Sequence, residues 1–434
     1  MKETFRKRTA GPDGPRVRAL AAGSVGNFIE WYEFGVYGYF ATVIAARFFT
    51  PEGGGEGEAL VRTYASFALA FFFRPIGAAV FGRLGDRIGR RPVLILVVSL
   101  MTGATALIGL LPTYAAVGGL APWLLTLLRV VQGLSAGGEF GGAVALMTEF
   151  APPGRRGLYG AWQSFTVALG LLGGAGVAAV LASALTEQQV QSWGWRVPFL
   201  LAVPLGLGAL WLRLRLDETP SFVRRHEGVP VRPSRREVAG AIALGAGRVM
   251  GWAAAGYTFL VVLPSYLQST LDASFQQALV ATVLANLGFA VTILPAGLLS
   301  DRVGRRPVML AGALLVTVLA VPLLDLLQDP GASAAVQGAA VCCAGAVVGL
   351  LAGPGPAMLA EMFPTTVRYT GLGLSYALSN AVFSGCAGLI ITEAVQRTGD
   401  ADIPAYYAAV ACAVSVLALA TVPGVTRAVE GETR

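Results

Sequence analysis

Long apolar stretches alternate with short polar turns along nearly the whole chain. The stretches run beyond the ~20 apolar residues that a helix needs to cross a bilayer. We count twelve of them, and they predict an all-α membrane protein with twelve transmembrane helices. The predicted spans are approximately 19–46, 60–82, 92–112, 121–148, 157–184, 196–215, 238–267, 275–299, 307–327, 334–359, 370–393 and 404–424.

A basic turn between the second and third spans recurs between the eighth and ninth. The first copy, Gly82–Pro92, reads GRLGDRIGRRP, and the second, Ser300–Pro307, reads SDRVGRRP. Both contain the core Asp-Arg-x-Gly-Arg-Arg-Pro. Repetition of a motif at this distance indicates two homologous halves.

A second pair of segments supports the same repeat. Thr148–Tyr159 reads TEFAPPGRRGLY and Ala360–Leu372 reads AEMFPTTVRYTGL, and each has Glu, Phe, Pro, Arg and Gly in that order. The acidic residues of the two motifs are 63 positions apart in the first half (86 to 149) and 60 apart in the second (301 to 361). Two motifs in one order at nearly one spacing predict two pseudo-symmetric bundles of six helices.

The remaining segments are short and polar. The predicted division is an N-terminal tail (1–18), a first six-helix bundle (19–216), a linker (217–237), a second bundle (238–425) and a C-terminal tail (426–434). The linker holds the one histidine, His226. We interpret it as a solvated loop residue, with a pH sensor as the alternative.

Lysine and arginine are concentrated on one side of this topology, in the tails, the repeated turns and the linker. The loops of the other side hold few basic residues. Because basic residues are retained on the cytoplasmic side during insertion, we expect that side to be cytoplasmic. An even number of spans then places both termini there, in a multi-pass protein of the cell membrane.

Composition narrows the class of function. Hydrophobic residues make up 55% of the 434 residues and charged residues 13%, whereas a soluble domain has about 25% charged residues. The net charge of +7 follows from loop arginines and does not require a nucleic-acid partner. The sequence has no phosphate-binding loop, no nucleophile–histidine pair and no cysteines at metal-ligand spacing. We therefore expect neither an enzyme nor ATP-driven transport, and no metal or cofactor.

Six ionisable residues fall well inside predicted spans. Each costs at least ~2.5 kcal/mol near the bilayer centre unless it faces a partner or a polar cavity. At about 1.5 Å per residue, most of them lie near mid-depth, where a transporter with two repeats binds its substrate. They are Glu30, Glu33, Arg74, Arg129, Glu139 and Arg248.

Two of these residues form a candidate proton site. Glu30 and Glu33 are three positions apart and so share a helix face. Neighbouring carboxylates repel each other, which favours the binding of a proton by one of them. We predict Arg74 as the counter-ion. The alternative is a structural Glu–Arg pair that holds two helices together.

The other buried arginines are candidate anion contacts. Arg129 is predicted to bind substrate, or alternatively to clamp helices through Gln132 or Glu139. Arg248 falls near the position of Glu33 when the halves are aligned. We predict that it faces the cavity and contacts an anion.

Four further residues are candidate substrate contacts, with packing as the alternative for each: Tyr37, Trp162, Gln163 and Tyr257. Asn286 is a lone amide in an apolar span, and helix–helix hydrogen bonding explains it as well as substrate binding does. The sequence Gly-Pro-Gly-Pro at 353–356 predicts a break in the tenth span. Such a break is a candidate gate.

With these motifs the chain resembles the major facilitator superfamily, through both basic turns and Arg129-x-x-Gln132-Gly133. Within it the chain is similar to the metabolite:proton symporters, which include citrate, α-ketoglutarate, shikimate and proline/betaine transporters. Four segments carry this resemblance: Gly26–Phe34 (GNFIEWYEF), Phe73–Gly77 (FRPIG), Gln132–Gly142 (QGLSAGGEFGG) and Glu361–Gly371 (EMFPTTVRYTG).

The resemblance implies the major facilitator fold and assigns roles to residues. Arg74 and Arg129 become candidate substrate or coupling residues, and Glu30 and Glu33 candidate proton-coupling residues. Asp86 becomes a gate residue bound to helix ends and nearby arginine. The implied signature and gating residues are Asp86, Arg87, Arg90, Asp301, Arg305, Glu149, Glu361 and Arg368.

Two positions depart from the family pattern. The position of Glu33 is commonly Asp, and Phe72 stands where some carboxylate carriers have a histidine. The second departure argues against specificity for citrate or α-ketoglutarate.

We therefore expect a proton-coupled symporter that imports a small organic anion or zwitterion by alternating access. The expected partners are a small polar metabolite bearing a carboxylate, protons and the bilayer, with no nucleic acid, and we expect a monomer. One alternative is an exporter of drugs or natural products. Such proteins often carry a Gly-Pro motif in the fifth span, and Gly170–Gly174 lacks its proline. A second alternative is a membrane sensor that transports nothing.

Overall fold

A computed structural model describes residues 14–50, 55–88, 90–149, 151–214, 234–364 and 367–422. These ranges are almost entirely helical and contain no strand. The twelve long helices among them are α1 Gly14–Tyr39, α2 Glu56–Ile88, α3 Arg90–Leu110, α4 Leu120–Gly137, α5 Arg156–Ala184, α6 Arg196–Leu214, α7 Arg235–Thr270, α8 Phe275–Val303, α9 Arg305–Gln328, α10 Ala334–Glu361, α11 Thr370–Thr398 and α12 Ile403–Ala420. We call α1–α6 the first half and α7–α12 the second half.

Eleven helical segments of the described ranges are long and apolar enough to cross a membrane. They correspond to α2–α12. The first helix, α1, carries Glu30 and Glu33 in its middle. The predicted all-α membrane architecture is therefore confirmed, while the tails 1–13 and 426–434 and the linker residues 217–233, with His226, lie outside the described residues.

Most helix bounds lie close to the predicted ends of the apolar stretches, but α1 ends at Tyr39, α4 stops at Gly137, and α2 is longer than predicted. That helix begins at Glu56 and continues to Ile88, beyond the predicted end at 82. The extra residues are mostly arginine, leucine and isoleucine, which tolerate the helix, and no proline interrupts them. The signature turn therefore starts later than its charges suggest.

Four helices are interrupted within the bundle. Helix α4 stops at Gly137 and the chain resumes as Phe140–Glu149. Helix α7 has a π-helical turn at Thr258–Val262, and α11 has one at Asn380–Gly385. Helix α10 breaks at Gly353 and Pro354, as the two prolines predict. Interruptions of this kind are frequent at functional sites.

The halves meet along two seams. Helix α5 packs along α8, and α2 packs along α11. Within the first half, α1 packs on α5 and α2 on α4. We call the end of the bundle where α1 begins and α12 ends the termini side, and the other end the opposite side. Both signature turns belong to the termini side.

Glycines bring α2 and α4 into backbone contact. A Cβ atom on Gly133 would overlap the carbonyl oxygen of Ala70, and one on Gly137 would overlap that of Arg74. On the facing helix, a Cβ on Gly77 would overlap the carbonyl of Leu134. This close approach, which the missing side chains of these glycines allow, fixes the backbone that carries Arg74.

We predict that Gly133→Ala destabilises the protein. The added methyl must push α2 away from α4, so the free energy of unfolding should fall by about 1–3 kcal/mol. The control is Gly103→Ala on α3, where a Cβ meets no atom within 4 Å and where alanine should be neutral or stabilise by about 0.5–1 kcal/mol. Thermal unfolding in detergent measures both, and equal melting temperatures for the two variants would contradict the packing argument.

Candidate substrate and proton site

A small cavity lies between the two halves near the middle of the bundle. Its volume is about 30 Å³, about two to three times the roughly 10–15 Å³ that one water molecule needs. Helices α1, α5, α7, α8 and α11 contribute to its wall. The wall is mainly apolar, and its aromatic and polar members are Trp31, Trp252, Tyr257, Phe289, Tyr376, Asn380 and Ser384.

The predicted partnership of Glu30 and Arg74 is present beside this cavity. Nη2 of Arg74 lies 3.3 Å from Oε1 of Glu30, and both side chains are at most 5% exposed. Arg74 also lies over the ring of Trp31, with 5.6 Å between its guanidinium carbon and the ring centre. The ion pair therefore lies directly behind a residue of the cavity wall.

This ion pair leaves hydrogen-bonding capacity unused. Oε2 of Glu30 and Nε and Nη2 of Arg74 are buried and have no hydrogen-bond partner among the described residues. Helix α2 contains Pro75 directly after Arg74, and proline removes a backbone hydrogen bond at this point of the helix. Buried polar groups without partners are uncommon in proteins and mark a place where a ligand or a proton can bind.

Glu33 belongs to a separate chain of hydrogen bonds within the first half. The hydroxyl of Thr105 lies 2.7 Å from Oε2 of Glu33, and Nε2 of Gln132 donates to that hydroxyl at 2.6 Å. Nη1 of Arg129 donates to Oε1 of Gln132 at 2.7 Å. Glu33 and Arg129 are thus connected through two side chains from α3 and α4.

Aromatic rings separate Arg129 from the central cavity. Its guanidinium carbon lies 4.1 Å from the ring centre of Tyr37 and 4.8 Å from those of Phe34 and Phe67. The hydroxyl of Tyr37 is 2.6 Å from that of Ser66. Phe34 also lies 4.3 Å from the guanidinium carbon of Arg74, so a single ring contacts both arginines.

Arg248, which we predicted to face the cavity at mid-depth, is bonded on the termini side in this structure. Its Nη2 donates to the carbonyl and the hydroxyl of Thr421, at 3.0 and 3.1 Å, beyond the end of α12. A helical side chain leans toward the N-terminus of its helix, which for α7 is the termini side. The cation also stabilises the carbonyl end of α12. Arg248 is therefore a clamp between α7 and α12 in this structure.

Tyr257 alone among the four additional candidates lines the cavity, and its buried hydroxyl has no hydrogen-bond partner among the described residues. Gln163 is fully buried, and its Nε2 donates to Asn27 at 3.2 Å, which ties α5 to α1.

Trp162 is 39% exposed and donates to Ser24. Tyr37 packs against Arg129, away from the cavity wall. Asn286 donates to backbone carbonyls of Leu260 and Thr282, which fits the helix–helix interpretation.

On the termini side, Asp301 joins the two halves. Its carboxylate accepts hydrogen bonds from the backbone N–H groups of Gly157 and Leu158, at 2.7 and 2.9 Å, in the first turn of α5. A carboxylate at this position is stabilised by the helix dipole. Arg305 donates to Asp301 at 2.7 Å and to Glu361 at 2.9 Å. The second signature turn thus closes this end of the bundle.

Other residues of the signature motifs have different positions. Nε of Arg368 donates to the carbonyls of Ala360 and Phe363, at 3.0 and 3.2 Å, and so supports the end of α10. The predicted gate residues of the first half lie outside the residues whose side chains the structure describes: Asp86, Arg87, Arg90 and Glu149.

Two more contacts close the termini side below the cavity. The ring of Phe140 stacks on that of Tyr376 with 3.4 Å between centres and an interplanar angle of 7°. Oγ of Ser164 donates to the carbonyl of Ala352 at 2.7 Å. Both contacts cross from the first half to the second.

On the opposite side, a cavity of about 730 Å³ lies among α2, α5, α7, α8, α11 and the residues that follow α1. Two contacts join the halves on this side: the hydroxyl groups of Tyr64 and Ser265 are 2.6 Å apart, and Thr42, on the wall of this cavity, donates to Gln268 at 3.2 Å. The opposite side therefore holds a much larger cavity than the middle of the bundle.

Sequence reasoning missed Arg213 and Thr105. Arg213, in the last turn of α6, forms a buried ion pair with Glu139, and both side chains are at most 5% exposed. Arg213 falls at the edge of its apolar stretch, where arginine usually reaches water. The sequence did offer one signal for Arg213, because a buried Glu139 needs a cation from another helix.

Comparisons with known proteins agree with this geometry. The profile of the sugar (and other) transporter family matches residues 19–229 and 233–427. The ectoine/proline transporter ProP of Corynebacterium glutamicum is 35% identical over 93% of this chain and 83% of its own length. The citrate-proton symporter of Klebsiella pneumoniae is 34% identical over 94% of this chain and 92% of its own length. The crystal structure of a D-xylose-proton symporter superposes with a TM-score of 0.74 at 19% identity, covering 93% of this chain and 97% of that one.

The fold, the family profile and the curated relatives define a membrane transporter with the major facilitator fold, and not an enzyme. The chain belongs to the sugar (and other) transporter family. Because its relatives include a proton symporter, we interpret this chain as a proton-coupled symporter and not as the exporter considered in the sequence analysis.

We predict that Thr105→Val weakens the network around Glu33. Valine keeps the shape but removes the hydroxyl between Glu33 and Gln132, and loss of a buried hydrogen bond to a charged group costs about 1.5–3 kcal/mol. The matched control is Thr282→Val, because Thr282 is equally buried and its hydroxyl donates to the carbonyl of Ala278 in its own helix, without a contact to another side chain among the described residues. Thermal unfolding in detergent should show the larger loss for Thr105→Val, and a larger loss for the control would contradict the network's importance.

Proposed function

We propose that the chain imports a small zwitterion, with a carboxylate and a cationic nitrogen, together with protons. The observation that carries this proposal is the aromatic wall of the central cavity beside one arginine with unused hydrogen-bonding capacity. Aromatic faces attract cations, and a guanidinium binds carboxylates through charge-assisted hydrogen bonds. A zwitterion satisfies both at once.

A substrate with several carboxylates fits the site less well. Arg129 lies behind aromatic rings, and Arg248 is bonded to the end of α12. Arg74 is thus the one guanidinium among the described residues that adjoins the cavity wall. We therefore favour a substrate such as proline or a betaine over one such as citrate.

The coupling of substrate to proton follows from competition for Arg74. Glu30 occupies the guanidinium in the present structure. A substrate carboxylate that binds Arg74 displaces Glu30, and an unpaired carboxylate in an apolar site favours binding a proton. Substrate and proton then load together. Glu33, connected to Arg129, is the second candidate proton carrier.

Transport requires the halves to move against each other. We propose that the bundles 19–216 and 238–425 rock about the central cavity, with the linker 217–237 joining them and both termini in the cytoplasm. The Asp301 contacts with α5 would then break when the site opens to the cytoplasm. Because the motifs repeat in the sequence, we assign the corresponding role in the first half to Asp86, Arg87, Arg90 and Glu149. We expect a monomer, because both walls of the cavity come from one chain.

The test is uptake into proteoliposomes. We expect radiolabelled glycine betaine or proline to accumulate when the outside is more acidic than the lumen, and the gradient to be required. Citrate should accumulate far less. Equal or stronger uptake of citrate would contradict the zwitterion assignment, and uptake of every substrate without dependence on the gradient would contradict symport.

We predict that Arg74→Ala lowers uptake by about 100-fold. This corresponds to loss of a charge-assisted hydrogen bond of about 3 kcal/mol. The control is Arg62→Ala, which removes an arginine from the same helix that pairs with Glu58 and is exposed to solvent. Wild-type uptake by a folded Arg74→Ala variant, with its elution profile unchanged, would show that the substrate site lies elsewhere.

A further inference from the structure

A second buried ion pair lies close to Glu30 inside the first half. Glu139 bonds to Nη2 of Arg213 through Oε1, and Nη1 of Arg213 donates to the carbonyl of Leu94 at 2.6 Å. Arg213 is in the last turn of α6, which is on the termini side. The pair therefore lies between the level of Glu30 and the end of the bundle.

The ion pair of Glu139 and Arg213 lies against α1, one helical turn from Glu30. Gly26 precedes Glu30 by one helical turn, and a Cβ atom on Gly26 would overlap both Nη2 of Arg213 and Oε1 of Glu139. Glycine is needed here because the ion pair packs directly on the backbone of α1. No side chain of α1 separates the pair from the face that carries Glu30.

A cavity connects the two glutamates. It has a volume of about 10 Å³, about the minimum for one water molecule. Its polar side chains are Glu30 and Glu139, and the rest of the wall is apolar: Gly26, Ile29, Val97, Val98, Met101 and Ala136. This cavity is formed by α1, α3 and α4, and is separate from the central cavity between the halves. One water there would contact both carboxylates.

We propose that Glu139, held by Arg213, receives the proton from Glu30 and releases it on the termini side. This inference rests on the proposed symport. The acid form of Glu30 gives its proton to the intervening water, and that water gives a proton to the carboxylate of Glu139. Glu30, now a carboxylate, pairs again with Arg74. Glu139 then loses the proton to water at the end of the bundle and pairs again with Arg213.

The position of Glu139 in α4 ties this step to opening of the gate. Glu139 lies in the interruption of the helix, and the next residue, Phe140, stacks on Tyr376 of the second half. When that stack separates, the interruption moves and the ion pair with Arg213 opens. Glu139 is then free to accept a proton when the substrate leaves toward the termini side.

Among the residues whose side chains the structure describes, few charged groups surround this path. Arg74 of α2, Glu139 of α4 and Arg213 of α6 act on Glu30, and Glu33 lies beside it on α1. Helix α3 contributes only apolar residues to the cavity wall. The main alternative is that Glu139 and Arg213 only hold α4 against α6.

The test separates proton release from substrate exchange. Glu139→Gln keeps the shape and a hydrogen bond to Arg213 but cannot carry the proton. In proteoliposomes, gradient-driven accumulation of proline and substrate-driven proton uptake should both fall by about 100-fold, the usual scale for loss of a proton-transferring group. Counterflow of proline, which needs no proton release, should stay near wild type. The control Glu58→Gln changes an exposed glutamate of an Arg–Glu pair and should leave both activities unchanged.

Two further variants keep the test decisive if Glu139→Gln folds poorly with Arg213 unpaired. The double variant Glu139→Gln, Arg213→Gln removes both charges. A structural role predicts restored accumulation, whereas the relay predicts a folded protein that exchanges proline but does not accumulate it. Ala136→Val fills the cavity without changing a charge and should also slow accumulation more than counterflow.

The outcomes distinguish this inference from the proposed function. If Glu139→Gln accumulates proline and takes up protons as the wild type does, the relay is wrong and symport stands. Restored accumulation by the double variant would also overturn the relay. If the wild type itself shows no gradient-driven uptake, the proposed symport is wrong, and the relay loses its basis.

Discussion

The structure depends on the cost of placing charge in hydrocarbon. Glu30 and Arg74 remain in the middle of the bundle because each offsets the charge of the other and aromatic faces surround the guanidinium. The glycines of α4 let the backbones of α2 and α4 touch, which places Arg74 beside α1. Some polar atoms of the pair still have no hydrogen-bond partner among the described residues. The pair can therefore bind a ligand or a proton as well as hold two helices together.

Three units of buried charged side chains lie inside the described part of the first half. One is Glu30 with Arg74, the second runs from Glu33 to Arg129, and the third is Glu139 with Arg213. The ring of Phe34 lies between the first two, and a cavity for one water joins the first to the third. The second half contributes mostly aromatic and neutral polar groups to the central wall. The charged side chains near the central cavity therefore belong to the first half, while the second half supplies much of the neutral wall of the cavity.

The contacts between the halves differ at the two ends. On the termini side a carboxylate meets the N-terminus of α5, an arginine joins two acids and two rings stack. On the opposite side the contacts are between neutral hydroxyl and amide groups, below a cavity of about 730 Å³. Charge-assisted bonds are stronger than neutral ones. This asymmetry favours the conformation closed on the termini side, and substrate or proton binding must offset it for the halves to exchange positions.

Apolar length, repeated motifs and proline positions were enough to predict the spans, the two halves, the break in α10 and the partnership of Glu30 with Arg74. These features are local, or they follow from the strong requirement that a buried charge have a partner. Sequence could not predict which way Arg248 leans, which cation meets Glu139, or that Trp162 lies at the surface while Tyr257 lines the cavity. Helical periodicity tells which residues share a face, but the packing of twelve helices decides what each face meets. The tertiary structure alone brought Gly26 of α1, Glu139 of α4 and Arg213 of α6 together, because no periodicity links three helices so far apart in the chain.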